Sequence, residues 1–358
     1  MSDGVVLIMA GGTGGHVFPA LAVARALRAD GIAVAWLGSR GGMEERVVQR
    51  DGITFHGIRI RGLRGKGVTA WLLAPLRLAG AVAEALAVMI RLRPRVVLGM
   101  GGFAAGPGGL AAWLLQRPLV IHEQNAVAGW TNRLLARLAR RVLGAYPNVL
   151  GSVEVVGNPV RPEIAALPAP EVRLAGRKGP LRVLVLGGSQ GARALNVTVP
   201  EALAQLPAGI AVEVIHQTGV SEQAQTQQAY ARLGVQAQVL AFIEDMATAY
   251  GWADLAICRA GALTLAEVTA AGVGTVLVPY PHAVDDHQTR NAAYLVAAGA
   301  AVLQPQQTLT AAGLAELLAP LLGDRGRLRD MARQARGLAR PDATAEVVRV
   351  LRAEGGLA

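Results

Sequence analysis

Two glycine-rich turns sit directly behind short apolar strands, one in each half of the chain: VVLIMA runs into GGTGGH at residues 5–16, and RVLVL runs into GGSQG at 182–191. A strand that enters a helix through such a turn aims successive backbone N–H groups and the helix N-terminus at one point, which favours an anion there. One turn of this kind fits a single dinucleotide domain. Two of them, in a chain of 358 residues that is long for one core, predict paired α/β domains with a ligand held in the cleft between them. A third cluster, GMGGFAAGPGG at 99–109, again follows a strand. Plain turns need fewer glycines and lose less entropy, so close approach of backbone to ligand is the better account.

Short β-rich runs alternate with helical patterns along the whole length. Strands are expected near 5–10, 34–38, 96–100, 119–122, 141–145 and 153–156 in the first half, and near 182–187, 212–216, 237–241, 255–258, 275–278 and 300–303 in the second. Helices between consecutive strands require right-handed crossovers and mostly parallel sheets. Prolines, glycines and charges cluster in GNPVRPEIAALPAPEVRLAGRKGP at 157–180, which places the domain break there.

The formal net charge of +10 requires an anionic partner: nucleic acid, an anionic membrane or a phosphorylated substrate. Arg59, Arg61, Arg64 and Lys66 precede the apolar stretch VTAWLLAPLRLAGAVAEALAVMI at 68–90. That stretch contains Pro75, Arg77 and Glu84, and charges at bilayer depth cost roughly 2.5–3.5 kcal/mol each, so it reads as amphipathic helix and not as a span. Two readings stand: a membrane-surface patch with Trp71, Leu72, Leu73 and Leu76 in lipid beside basic side chains, or a core helix beside a solvated basic loop. No interleaving of aromatic and basic residues marks a nucleic-acid surface. The single cysteine, Cys258 in the apolar run LAIC, excludes an internal disulfide and suits a reducing compartment as a small buried hydrophobe. With no secretory signal visible before the first strand, the protein is expected inside the cell.

Two polar constellations follow strands. HEQN at 122–125 ends the fourth expected strand, where ligands of parallel α/β sheets sit. CRAGALTLAEVTAAG at 258–272 sets strand, glycine turn and helix start in succession; Thr264 and Glu267 have capping-box spacing, so Glu267 either closes its helix or accepts the hydroxyls of a ribose. The first glycine turn lacks the acidic residue that a nicotinamide-dinucleotide site wants after its second strand, since Ser39 and Arg40 stand there.

Taken together, GGTGGHVFPALAVA, LGMGGFAAGPGGLAAW, HEQNAVAGWTNRLLA, VVGNPVRPEI, VLVLGGSQGARALN, CRAGALTLAEVTAAG and DDHQTRNAAYL resemble the bacterial N-acetylglucosaminyltransferases that convert peptidoglycan lipid I to lipid II. The likeness covers nearly the whole chain. It implies an α/β chain of glycosyltransferase B fold, two Rossmann-like domains with parallel sheets facing a central cleft. Residues 1–160, joined by a C-terminal helix at 341–358, would form the acceptor and membrane-facing domain, and 161–340 the domain that binds UDP-N-acetylglucosamine. The other implied partners are lipid I, an undecaprenyl-diphosphate-linked acceptor, and the anionic inner-membrane surface on its cytoplasmic face, with no nucleic acid and no cofactor.

Carried over by motif, the resemblance places Ser189 and Arg161 near the nucleotide diphosphate and Ile243 on uracil through its backbone. Ala262, Leu263, Thr264, Leu265, Ala266 and Glu267 would line the ribose and phosphates. Gln288 and Asn125 would orient sugar hydroxyls, and Thr13, Gly14 and Gly15 would close over the donor. The family often has Gln before Gln288, where this chain has His287. The reaction implied is an inverting displacement, and no Asp-x-Asp motif points to a metal clamp; His282, Asp285, Asp286 and His287 read as a donor-binding loop and not a zinc cage. His16, at the end of the first glycine turn, is the candidate base, against a purely structural imidazole. An epimerase acting on the nucleotide sugar alone, and a non-catalytic nucleotide-sugar sensor, are the rival classes.

Overall fold

The structure is a computed structural model in which residues 4–60, 73–188 and 191–357 are described. The chain divides into two compact units, residues 1–160 with 341–358, and residues 161–340.

The first unit is built on a seven-stranded sheet of order β3-β2-β1-β4-β5-β6-β7, in which every pairing is parallel. Its strands are β1 Val6–Met9, β2 Val34–Ser39, β3 Thr54–Ile58, β4 Val96–Gly99, β5 Leu119–Glu123, β6 Arg141–Gly144 and β7 Glu154–Val155. The runs VLIM and VVLG of β1 and β4 are apolar throughout because both faces of a central parallel strand are covered. Side chains alternate between two cores. Val6, Ile8 and Ala10 face a layer that includes Val17, Val23 and Leu27 of the helix Gly14–Ala29 and Val347 and Leu351 of the helix Ala343–Gly355, while Leu7 and Met9 face Ala81, Ala85 and Met89 of the helix Ala74–Leu92. Each fully buried aliphatic side chain contributes about 1.5–3 kcal/mol, so this double coverage fixes the sheet and the C-terminal helix with it.

The second unit repeats the plan with six parallel strands in the order β10-β9-β8-β11-β12-β13. They are β8 Leu181–Leu186, β9 Val212–Gln217, β10 Ala237–Leu240, β11 Leu255–Cys258, β12 Gly274–Leu277 and β13 Ala301–Leu303. In both sheets the strand order reverses between the first strand and the one beside it, β1 and β4 in one unit and β8 and β11 in the other. Those switch points are where the strand ends open a crevice for a ligand.

Twelve strands lie within a residue or two of the expected positions, and one was not foreseen. β3, TFHGI, is an edge strand paired, among the described residues, only to β2, and its first residue is exposed and the next three only half-buried. It has neither the apolar run of a central strand nor a clean alternation.

Candidate functional site

At the switch point of the first unit, the turns after β1 and β4 touch. Gly102 has φ +86, and a Cβ there would fall 2.2 Å from Gly11 O, so only glycine allows the approach. Thr13 takes extended backbone before the helix Gly14–Ala29, and the His16 ring is held on its first turn, Nδ1 lying 3.2 Å from Gly11 O and 3.3 Å from Thr13 Oγ1. A proton on Nδ1, donated to the carbonyl, places the ring's basic lone pair on Nε2. Nε2 faces Gly101, where a Cβ would stand 3.1 Å away.

The sequence reading found no acid after β2, yet the fold supplies one. Glu44, in the first turn of the helix Met43–Arg50, is 1% exposed and folds back so that Oε1 accepts the Ser39 N–H at 2.9 Å and Oε2 that of Gly12 at 3.4 Å. A carboxylate of the chain itself thus lies against this glycine turn. No motif spacing flags it, because the acid arrives five residues past the end of the strand.

HEQN forms a buried scaffold. His122 lies 2.8 Å from Gly157 O through Nε2 and 3.1 Å from the Gln124 amide nitrogen through Nδ1, which fixes Nε2 as donor and Nδ1 as acceptor. Burial lowers its pKa, so the ring is neutral. Glu123 accepts from the backbone and side chain of Asn125, from Gly129 N–H and from Asn132 Nδ2. Asn125 is thus set on a loop wound around a buried carboxylate.

In the second unit, Glu267 is buried and doubly engaged. Its Oε1 accepts two N–H groups of Arg161, at 2.8 and 3.3 Å, and its Oε2 accepts the Tyr250 hydroxyl at 3.1 Å. Burial raises the carboxyl pKa more than Arg161 and Tyr250 lower it. The capping-box reading falls: the helix Ala262–Ala271 starts at Gly261 with no side-chain cap, and Glu267 lies in its second turn, reaching outside the helix. Two oxygens have about four acceptor sites between them, so capacity for further hydroxyls remains. Ala262 is buried, Leu263, Thr264 and Ala266 are half-buried, and Leu265 is 1% exposed in the core, so Leu265 offers a ligand only its backbone.

Ser189 lies outside the described residues, but Gly188 beside it bonds through its carbonyl to Gln217 Nε2 at 2.9 Å, and Ile243 donates its N–H to Gln217 Oε1 at 3.3 Å. Gln288 Oε1 accepts the Tyr280 N–H at 2.9 Å, and His287 turns back with Nδ1 2.7 Å from Val284 O. Arg259 was missed by motif reading; it follows β11 at the switch point, its guanidinium bonded to Val278 O and Pro279 O and 5.6 Å from the Tyr280 ring centroid. The Cys258 thiol is fully buried, its pKa pushed up to about 12, which makes it inert. Among the described residues no group of three or more His, Cys, Asp or Glu converges as a metal set.

Of the apolar stretch 68–90, residues through Leu72, with Arg61, Arg64, Lys66 and Trp71, lie outside the described residues. The rest is one helix, Ala74–Leu92, whose small stripe Ala81, Ala85 and Met89 is buried while Leu76 is 71% exposed. Among the described residues no helix is long and apolar enough to cross a membrane.

Paired doubly wound units with glycine turns at both switch points and, in one of them, a buried Glu267 held by Tyr250 and the half-exposed Arg161 define a two-domain enzyme of the Rossmann-like, glycosyltransferase B class. The chain belongs to glycosyltransferase family 28: the family's N-terminal domain matches residues 6–144 and its C-terminal domain residues 182–347. A protein of Alkalilimnicola ehrlichii named UDP-N-acetylglucosamine–N-acetylmuramyl-(pentapeptide) pyrophosphoryl-undecaprenol N-acetylglucosamine transferase is 59% identical over 347 residues, covering 96% of this chain and 97% of its own. A protein of the same name from Marinobacter nauticus is 58% identical over 345 residues, 96% of this chain and 95% of its own. The crystal structure of MurG from Acinetobacter baumannii superposes with a TM-score of 0.87 at 45% identity, covering 98% of this chain and 99% of that one.

Replacing Arg161, whose side chain is 38% exposed, by Ala removes a charge-assisted pair from Glu267 and costs about 2 kcal/mol, whereas Tyr250→Phe removes one hydrogen bond worth about 1 kcal/mol. Denaturant unfolding of Arg161→Ala, Glu267→Gln and the double variant is expected to show coupling above ~1 kcal/mol; additive losses would mean that the pair does not act as a unit.

Proposed function

We propose that this chain transfers N-acetylglucosamine from UDP-N-acetylglucosamine to the 4-hydroxyl of the N-acetylmuramyl residue of lipid I, giving lipid II and UDP. The observation that carries this is the near-full-length identity to two transferases of that name, 59% and 58% over 96% of the chain. The fold alone is shared by many chemistries.

The donor belongs to residues 161–340. There Arg161 offers a cation and Glu267 a hydroxyl acceptor, and the glycine turn after β8 takes its carried-over role at the diphosphate. Residues 189 and 243 take their carried-over roles at diphosphate and uracil, and Gln288 takes its role at the sugar. In the first unit Glu44 lies against the glycine turn after β1. That unit takes the acceptor, with Asn125 on its Glu123-braced loop and Thr13, Gly14 and Gly15 contributing to the sugar's surroundings.

In the displacement, the acceptor oxygen bonds to the anomeric carbon as the bond to the UDP oxygen breaks, with inversion at carbon. The acceptor proton passes to Nε2 of His16, whose tautomer is set by Gly11 O. The departing diphosphate gains negative charge, which backbone N–H groups of the second glycine turn and the remaining donors of Arg161 stabilise. General-base catalysis contributes typically 10²–10⁴-fold. His16→Ala is therefore expected to lower turnover by about 100-fold or more with donor saturated; retention of most of the wild-type turnover would remove His16 from this role.

The acceptor is lipid-linked, so the enzyme works as a peripheral protein at the cytoplasmic face of the inner membrane. Exposed Leu76 and Leu78 of the helix Ala74–Leu92, next in sequence to Arg61, Arg64 and Lys66, supply the apolar and basic elements of the contact. Each basic residue near an anionic surface adds about 1 kcal/mol. Neutralising Arg61, Arg64 and Lys66 together should cut co-sedimentation with anionic vesicles at least tenfold, and Leu76→Gln should cut it further; unchanged sedimentation would contradict the contact.

A further inference from the structure

Gln217 ends β9, the strand that lies between β8 and β10. Its register partners are Leu186, the last residue of β8, and Leu240, the last residue of β10. The two flanking strands are therefore both within one strand spacing, about 4.8 Å, of its backbone. Leu186 leads into the glycine turn at 187–191, and Leu240 leads into the loop that carries Ile243. A residue at this position can reach both loops at once.

It does so with both ends of its amide. Nε2 donates to Gly188 O at 2.9 Å, and Oε1 accepts the Ile243 N–H at 3.3 Å; its own carbonyl accepts the Gly187 N–H at 3.1 Å. The residue is 5% exposed, so these bonds form away from water, where losing one costs more than it does at the surface. Among side chains of this length only an amide offers a donor and an acceptor on one planar group. Glutamate would present oxygen to Gly188 O, and leucine would satisfy neither partner.

We propose that Gln217 is a positioning residue that sets the distance between the diphosphate-binding turn and the base-reading loop, and so determines uridine selectivity. The proposal rests on the donor site assigned above to residues 161–340. Ile243 reads the base through backbone, and backbone recognition has no side chain to adjust, so its accuracy depends on how firmly the loop is held. With its N–H held by Gln217, Ile243 meets the base through its carbonyl: uracil presents a donor at N3 where cytosine presents an acceptor, so a well-placed carbonyl oxygen tells them apart.

The test uses the full chain as wild type, Gln217→Leu and Gln217→Glu, with calorimetric titration of UDP and of CDP, and steady-state kinetics with UDP-N-acetylglucosamine and a lipid I analogue. Gln217→Leu should weaken UDP about tenfold and raise the donor KM to match, with kcat and acceptor KM within about twofold of wild type. Its preference for UDP over CDP should shrink. Gln217→Glu keeps the acceptor for Ile243 and loses the bond to Gly188, so it should lose affinity for both nucleotides while keeping the preference. UDP affinity within twofold of wild type in both variants would overturn the proposal. So would equal losses of UDP and CDP in Gln217→Leu, or kcat and both KM values shifting together with the melting temperature. Failure of the wild type to bind UDP would instead remove the donor site itself, and this proposal with it.

Discussion

A parallel strand ends on backbone groups that its neighbours no longer pair, and a glycine turn into a helix leaves several N–H groups pointing the same way. The rest of this structure depends on how that surplus is handled at two switch points. After β1 it is met by Glu44, a buried carboxylate that accepts from Gly12 and Ser39. After β8 the described bonds of the turn run to Gln217, a neutral amide, and within the turn itself. The first turn thus has a carboxylate of the chain itself against it, and the described bonds of the second involve none.

The first turn carries His16 with Nδ1 on Gly11 O, against a glycine cluster whose Gly102 packs on Gly11 too closely for any side chain. The second unit concentrates its polar groups instead. Arg161 and Tyr250 keep Glu267 hydrogen-bonded in a buried setting, so the carboxylate is fixed in direction and still has lone pairs to offer.

Much of the fold was legible because parallel sheets write central strands as continuous apolar runs. VLIM, VVLG and LAIC are each buried along their whole length. β3 was not legible, since an edge strand with one partner and a half-buried face needs no such run. The site was legible where a motif and its chemistry coincide, as in the glycine turns and HEQN. It was not where a residue acts across the fold: Glu44 returns to a turn more than thirty residues earlier, and Gln217 looks in sequence like the polar end of a strand. Thr264 and Glu267 show the reverse difficulty. Their spacing fitted a cap, and only the start of the helix at Gly261 shows that the carboxylate points elsewhere.

The central claim, that this chain moves N-acetylglucosamine from UDP to a lipid-linked acceptor, is tested most directly by incubating the purified protein with radiolabelled UDP-N-acetylglucosamine, with and without a lipid I analogue, and separating lipid-linked label from free sugar and unreacted donor. Label entering the lipid fraction only when the acceptor is present is the predicted result. Label released or isomerised without acceptor, or nucleotide bound with no conversion in either case, would contradict it.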